Sequence, residues 1–156
     1  MTPCAIFLYW RIFMNKLYED CLVLVTDLFR GKKDKGGYPY LDHLLTVSNK
    51  GKTYEEKLVG LLHDTFEDTD MTYQELKEFG VQDDILDAVV ILTKKKGETY
   101  NEYIDRVKES KNELAINVKL NDLEHNMDIK RIACPTEKDY ERLKKYERAH
   151  AILKGE

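Results

Sequence analysis

Two histidines and four carboxylates carry the clearest chemical signal in this chain: His43, the adjacent pair His63–Asp64, then Glu67, Asp68 and, far downstream, Asp122. Imidazole and carboxylate together suit a divalent ion such as Mn²⁺, Fe²⁺ or Zn²⁺. The His63–Asp64 pair follows Leu61 and Leu62 at the end of an apolar stretch, where an uncompensated charge is costly and a metal would supply the compensation. Glu67 lies four residues after His63, and Asp68 four after Asp64. In a helix that continues through the pair, both carboxylates sit one turn along on the same side. That separation fits a general acid/base acting on water beside a metal. Plainer readings stand beside this one. A single His-Asp pair is commonly structural, Glu67, Asp68 and Asp70 also make a solvated helix end, and an isolated Asp such as Asp122 is commonly capped or salt-bridged. Asn126 follows Asp122 by four residues, again one helical turn.

Helices must position these residues. Only Pro3, Pro39 and Pro135 interrupt the chain, so long stretches lack a breaker. Asn15–Phe29 places Leu17, Cys21, Leu24 and Leu28 on one face. Gly31 and the GKKDKGGYP run end that helix in a polar loop. Leu41–Val47 reads as a short helix carrying His43, and Tyr54–Phe66 as a helix with Leu58, Leu61, Leu62 and Phe66 inward. Thr72 with Glu75 is a capping box that opens a short helix ending at Gly80. Asp83–Thr93, Thr99–Val107, Glu113–Met127 and Thr136–Leu153 complete the set. No segment alternates convincingly as a strand. The expectation is a single all-α domain of about seven to eight helices.

The 156 residues suit one domain, and 42 % hydrophobic with 35 % charged residues is the composition of a folded, water-soluble protein. A net charge of −4 argues against general nucleic-acid or membrane binding, while leaving room for a local basic pocket. Cys4, Cys21 and Cys134 form no metal-binding spacing and read as idle thiols in a reducing cytoplasm. The opening MTPCAIFLYWRIF is too short to span a bilayer and lacks the layout of a signal peptide. Met14 reads as the natural start, with residues 1–13 an upstream arm and 14–156 the domain; a short extra helix is the competing reading. The face of Thr136–Leu153 bearing Tyr140, Leu143, Tyr146 and Ala149 is left to close the core or to pair with a second subunit as a homo-oligomer.

Three fragments give the pattern a more definite setting: KDKGGYPYLDH at Lys33–His43, LLHDTFEDTDMT at Leu61–Thr72 and KLNDLEHN at Lys119–Asn126. In order and spacing they resemble the HD superfamily, and more narrowly the hydrolase domain of RelA/SpoT homologues and small alarmone hydrolases. The resemblance runs from about Lys32 to Ile132. It implies a Mn²⁺ held by His43, His63, Asp64 and Asp122, with Glu67 and Asp68 orienting and deprotonating the water. It also implies phosphate binding by Lys32 and Lys33, a substrate-pocket role for Asn126, and a small-molecule nucleotide as the partner. The implied reaction removes the 3′-pyrophosphate of a guanosine alarmone such as ppGpp.

The chain departs from that family at two positions. Leu123 and Asp128 stand where relatives often carry basic residues, and an anion in place of a cation repels phosphate. Lys130 and Arg131 are the nearby substitutes. These departures keep open an HD-type phosphatase acting on another nucleotide or dinucleotide phosphate. A nucleotide-binding module without turnover and a metal-free helical interaction protein are the remaining readings.

Overall fold

The structure, a computed structural model, describes the backbone of residues 3–156 and the side chains of residues 12–156. Its elements follow in the order α1 (Pro3–Leu28), α2 (Tyr40–Lys50), α3 (Tyr54–Leu62), α4 (Thr65–Asp68), α5 (Tyr73–Glu78), α6 (Asp83–Leu92), α7 (Tyr100–Glu109), α8 (Glu113–Asn126) and α9 (Glu137–Lys154), with a 3-10 turn at Ile129–Arg131. Among the described residues there is no strand, only an isolated bridge between Lys33 and Pro39. The all-α expectation is met.

Local chemistry explains most of the helix starts. Thr53 caps α3 by accepting from the Glu56 N–H, and Asn112 caps α8 by accepting from the Ala115 N–H. Reciprocal capping boxes open α5 (Thr72 with Glu75), α7 (Thr99 with Glu102) and α9 (Thr136 with Asp139). Gly31 sits at φ 77° just past α1, a conformation that favours glycine.

Helix α3 lies at the centre and packs against α1, α2, α6 and α8. Leu58, Val59, Leu61 and Leu62 are fully buried there. From α1 the buried seam is Leu17, Cys21, Val25 and Phe29, at steps of four. Leu24 and Leu28, expected on that seam, are half-buried beside it. Burial, helped by Asp20, pushes the Cys21 thiol up to about 12, as befits an inert core residue. Cys134 is a free, exposed thiol, and the side chain of Cys4 lies outside the described residues.

Helix α9 closes over α7 and α8 and buries Ala149 and Leu153, while Tyr140 stays 48 % exposed. Helix α1 passes through Met14 without a break. The expected division after residue 13 concerns side chains that, up to residue 11, lie outside those described. No helix of the described residues is long and apolar enough to cross a membrane.

One expectation is corrected. Tyr54–Phe66 is not a single helix: α3 stops at Leu62, and His63 and Asp64 form a turn before the one-turn helix α4. Asp64 sits at φ −98°, ψ 1°, between helical and extended backbone. The break re-aims Asp64 toward α2, where its partners Tyr40 and His43 lie.

Two helices approach unusually closely at one glycine. A Cβ built on Gly60 of α3 would lie 2.9 Å from both N and Cα of Ser48 in α2, so only glycine fits. That approach brings the turn bearing His63 beside the helix bearing His43.

Candidate metal centre

His43 from α2, His63 and Asp64 from the turn after α3, and Asp122 from α8 meet at one point. His43 Nε2 lies 3.1 Å from Asp122 Oδ1 and 3.7 Å from Asp64 Oδ2. His63 Nε2 lies 3.0 Å from Asp64 Oδ2 and 3.7 Å from Asp122 Oδ1. Both histidines and Asp122 are buried. His43, His63 and Asp64 each offer a ligand atom within 4.8 Å of the others. Asp122 completes the arrangement through its short approaches to both imidazoles.

The backs of the rings are as informative as the fronts. His63 Nδ1 donates to the Gly60 carbonyl at 2.7 Å, so Nε2 is the nitrogen that faces the cluster and can give up its proton to a bound metal. That Nε2 is buried and, despite its nearness to Asp64, has no hydrogen-bond partner among the described residues. An orphaned imidazole nitrogen facing two carboxylates is the environment a divalent cation satisfies. The donor set of two histidines and two aspartates therefore fits a divalent metal.

Neighbouring residues hold the carboxylates in their charged form. Tyr40 Oη donates to Asp64 Oδ2 at 2.6 Å. Lys119 Nζ donates to Asp122 Oδ2, and Asn126 Nδ2 to Asp122 Oδ1, both at 2.7 Å. Burial pushes the Asp64 carboxyl up, but adjacent His63 pulls harder and holds it at about 2. Burial opposes the charge of Asp122 too, yet Lys119 and both histidines keep its pKa well below the usual range. Lys119, largely shielded from water, is kept protonated by Asp122 against the same desolvation.

Glu67 faces the same cavity, and its Oε1 accepts the Lys94 backbone N–H at 3.0 Å. Burial, outweighing that hydrogen bond, raises its pKa above the ordinary glutamate value. Asp68 is also raised by burial, but it points elsewhere, toward Lys32 at 3.7 Å. Lys32 further donates to the Asp68 carbonyl at 2.9 Å and lies over the Phe29 ring. The structure thus brings Lys33, Asn126 and Glu67 to the cavity wall and leaves Lys32 and Asp68 paired beside it.

The cavity encloses about 550 Å³, within the range of small-molecule sites. Beyond the cluster, its wall carries Lys33, Lys35, Lys94, Arg131, Arg142 and Lys145, with Tyr100 and Tyr146 among them. Lys145 lies 4.4 Å from the centre of the Tyr100 ring. A chain of net charge −4 thus concentrates cations at one opening. Sequence reasoning missed Lys119, although its place three residues before Asp122 on a helix was a readable signal. Lys94, Arg142, Lys145 and Tyr146 carried no such signal.

The two departures from the family pattern have different fates. Leu123 is fully buried in the core and never reaches the cavity. Asp128 does reach the wall, where its Oδ1 accepts the Lys130 N–H and starts the 3-10 turn. Arg131, three residues on, stands at the wall and pairs with Asp34.

No family model matches the chain. A guanosine-3′,5′-bis(diphosphate) 3′-pyrophosphohydrolase of Aquifex aeolicus (strain VF5) is 49 % identical over 51 residues. That match takes in 30 % of this chain and only 7 % of the curated relative. Among solved structures, a metazoan ortholog of SpoT, described as hydrolyzing ppGpp and acting in starvation responses, superposes with a TM-score of 0.69 at 22 % identity. The superposition covers 88 % of this chain and 84 % of that one. The chain therefore has the all-α fold of that SpoT ortholog, and a stretch of it resembles a curated ppGpp pyrophosphohydrolase in sequence.

Proposed function

We propose that this protein is a Mn²⁺-dependent phosphohydrolase that removes the 3′-pyrophosphate of guanosine alarmones. One observation carries the reading: a cluster of two histidines and two aspartates opens into a cavity whose wall is rich in cations. The similarity to the Aquifex pyrophosphohydrolase points to the substrate class.

His43, His63, Asp64 and Asp122 would hold the ion. When bound, it supplies Lewis-acid polarisation of a phosphate oxygen and activation of water. Glu67, on the cavity wall and fixed by the Lys94 N–H, takes the proton of the attacking water. The water oxygen bonds to the phosphorus at the ribose 3′ position, the bond from that phosphorus to the ribose oxygen breaks, and the ribose oxygen recovers a proton. The products are a guanosine 5′-phosphate with a free 3′-hydroxyl and pyrophosphate. Lys33, Arg131, Arg142 and Lys145 offset the phosphate charge. Asn126 steadies Asp122 and faces the substrate, whereas Lys32 and Asp68 support the site as a pair.

A second reading, hydrolysis of another nucleotide or dinucleotide phosphate, is favoured by Asp128, an anion on the cavity wall. Phosphate and pyrophosphate release from ppGpp, NADPH and nucleoside monophosphates, with Mn²⁺ or with EDTA, separates the two. Pyrophosphate from ppGpp, abolished by EDTA, is the expected result. Orthophosphate from another compound with ppGpp inert moves the enzyme to a different substrate.

A further inference from the structure

We infer that His125 is a positioning residue for the metal centre, fixing the imidazole of His43 from behind; the inference rests on the metal reading above. His43 Nδ1 and His125 Nδ1 are 2.7 Å apart, and the two rings lie edge to edge, with centres 4.9 Å apart and 20° between their planes. One nitrogen must donate and the other accept. Arg131 Nη1 approaches the same His125 Nδ1 at 3.4 Å, and a guanidinium can only donate. His125 Nδ1 is therefore the acceptor and its proton sits on Nε2. His43 then carries its proton on Nδ1 and presents the lone pair of Nε2 toward Asp122 and Asp64.

This arrangement mirrors the other histidine. His63 is oriented by the Gly60 carbonyl, and His43 is oriented by a side chain. His125 is itself held in place. Arg131 also donates to the His125 carbonyl at 3.3 Å and pairs with Asp34, whose other oxygen accepts the N–H groups of Gly36 and Tyr38. The loop before α2 and the turn after α8 are thereby fastened to the back of one metal ligand.

The test separates the acceptor from the ring. His125→Phe keeps an aromatic ring and deletes the acceptor. His125→Asn places an amide oxygen where Nδ1 was. Calorimetric titration with Mn²⁺ alone should show His125→Phe weakened about 10- to 100-fold, with His125→Asn within about threefold of the parent chain, for a one-oxygen acceptor restores the bond. Equal affinity in His125→Phe and the parent, or equal weakening in both variants, overturns the inference. Nitrogen NMR of the unsubstituted chain loaded with Zn²⁺ gives a check that needs no variant. A His125 proton on Nε2 is expected, and a proton on Nδ1 overturns the inference even if His125→Phe fails to fold. Failure of the parent chain to bind Mn²⁺ or Zn²⁺ at all rejects the metal reading itself.

Discussion

The backbone N–H of Lys94 donates to Glu67 Oε1 at 3.0 Å, tying the loop after α6 to the residue proposed as the base. That loop is held in turn by Arg106, which donates to the carbonyls of Ile91 and Thr93 and pairs with Glu98. Lys94→Pro removes the N–H together with the side chain, and Lys94→Ala removes the side chain alone. Thr93 is extended, at ψ 119°, so a following proline is accommodated. Turnover of Lys94→Pro should fall about tenfold below that of Lys94→Ala, the worth of a hydrogen bond to a charged group. Its pH–rate profile should also move upward, because a carboxylate that loses a donor protonates more easily. Equal kinetics in the two variants would show that the contact does not serve Glu67.

Glu67→Gln should keep Mn²⁺ and lose turnover by about 10²- to 10⁴-fold, the usual contribution of a general base. Burial raises the pKa of Glu67, and only the ionised carboxylate accepts a proton. Activity should therefore rise with pH through an acid limb lying above the ordinary glutamate value. Loss of that limb in Glu67→Gln, measured on kcat, assigns it to this residue. Unchanged turnover removes Glu67 from the mechanism.

Asp122→Ala should lose the metal and destabilise the fold together. Asp122 is the buried partner of Lys119 as well as a proposed ligand. Removing it leaves a buried ammonium without a carboxylate, at a cost of about 3–5 kcal/mol. Elemental analysis should show depleted Mn²⁺, and the melting temperature without added metal should drop. Full metal occupancy in this variant contradicts the ligand assignment.

Glu98 offers a stability test away from the cavity. Hydrogen bonds from Arg106 hold its pKa at about 2, below the ordinary 4.5. A depressed carboxylate pKa contributes stability that is complete above the unfolded value and fades as pH falls through the folded one. Glu98→Gln should therefore be less stable than the parent at pH 7, and the difference should shrink toward pH 2. Urea midpoints at both pH values check this, and a constant difference would mean that the ion pair contributes nothing.

The metal cluster was legible in the sequence because its residue types are few and its fragments ordered. Histidine beside aspartate after an apolar run is weak by itself, and it gained weight from the three ordered fragments that surround these residues. The turn at His63–Asp64 was not legible. No glycine or proline stands there, and Tyr54–Phe66 reads as one helix with a sound apolar face. The chain breaks where tertiary partners, Tyr40 and the two histidines, recruit Asp64. Arg142, Lys145 and Tyr146 had no local mark either, since they join the site only when α9 crosses α7 and α8. His125 lay within a quoted fragment, but its role depends on Arg131 and His43 coming together in space.

The contact of Gly60 with Ser48 sets how far apart the two histidine-bearing segments can stand. The spacing is main chain against main chain, with no side chain in between to yield. The separation of His43 from His63 is therefore a property of the backbone. A single methyl group at position 60 would force α2 and α3 apart, so the meeting of the two histidines turns on the absence of one carbon atom.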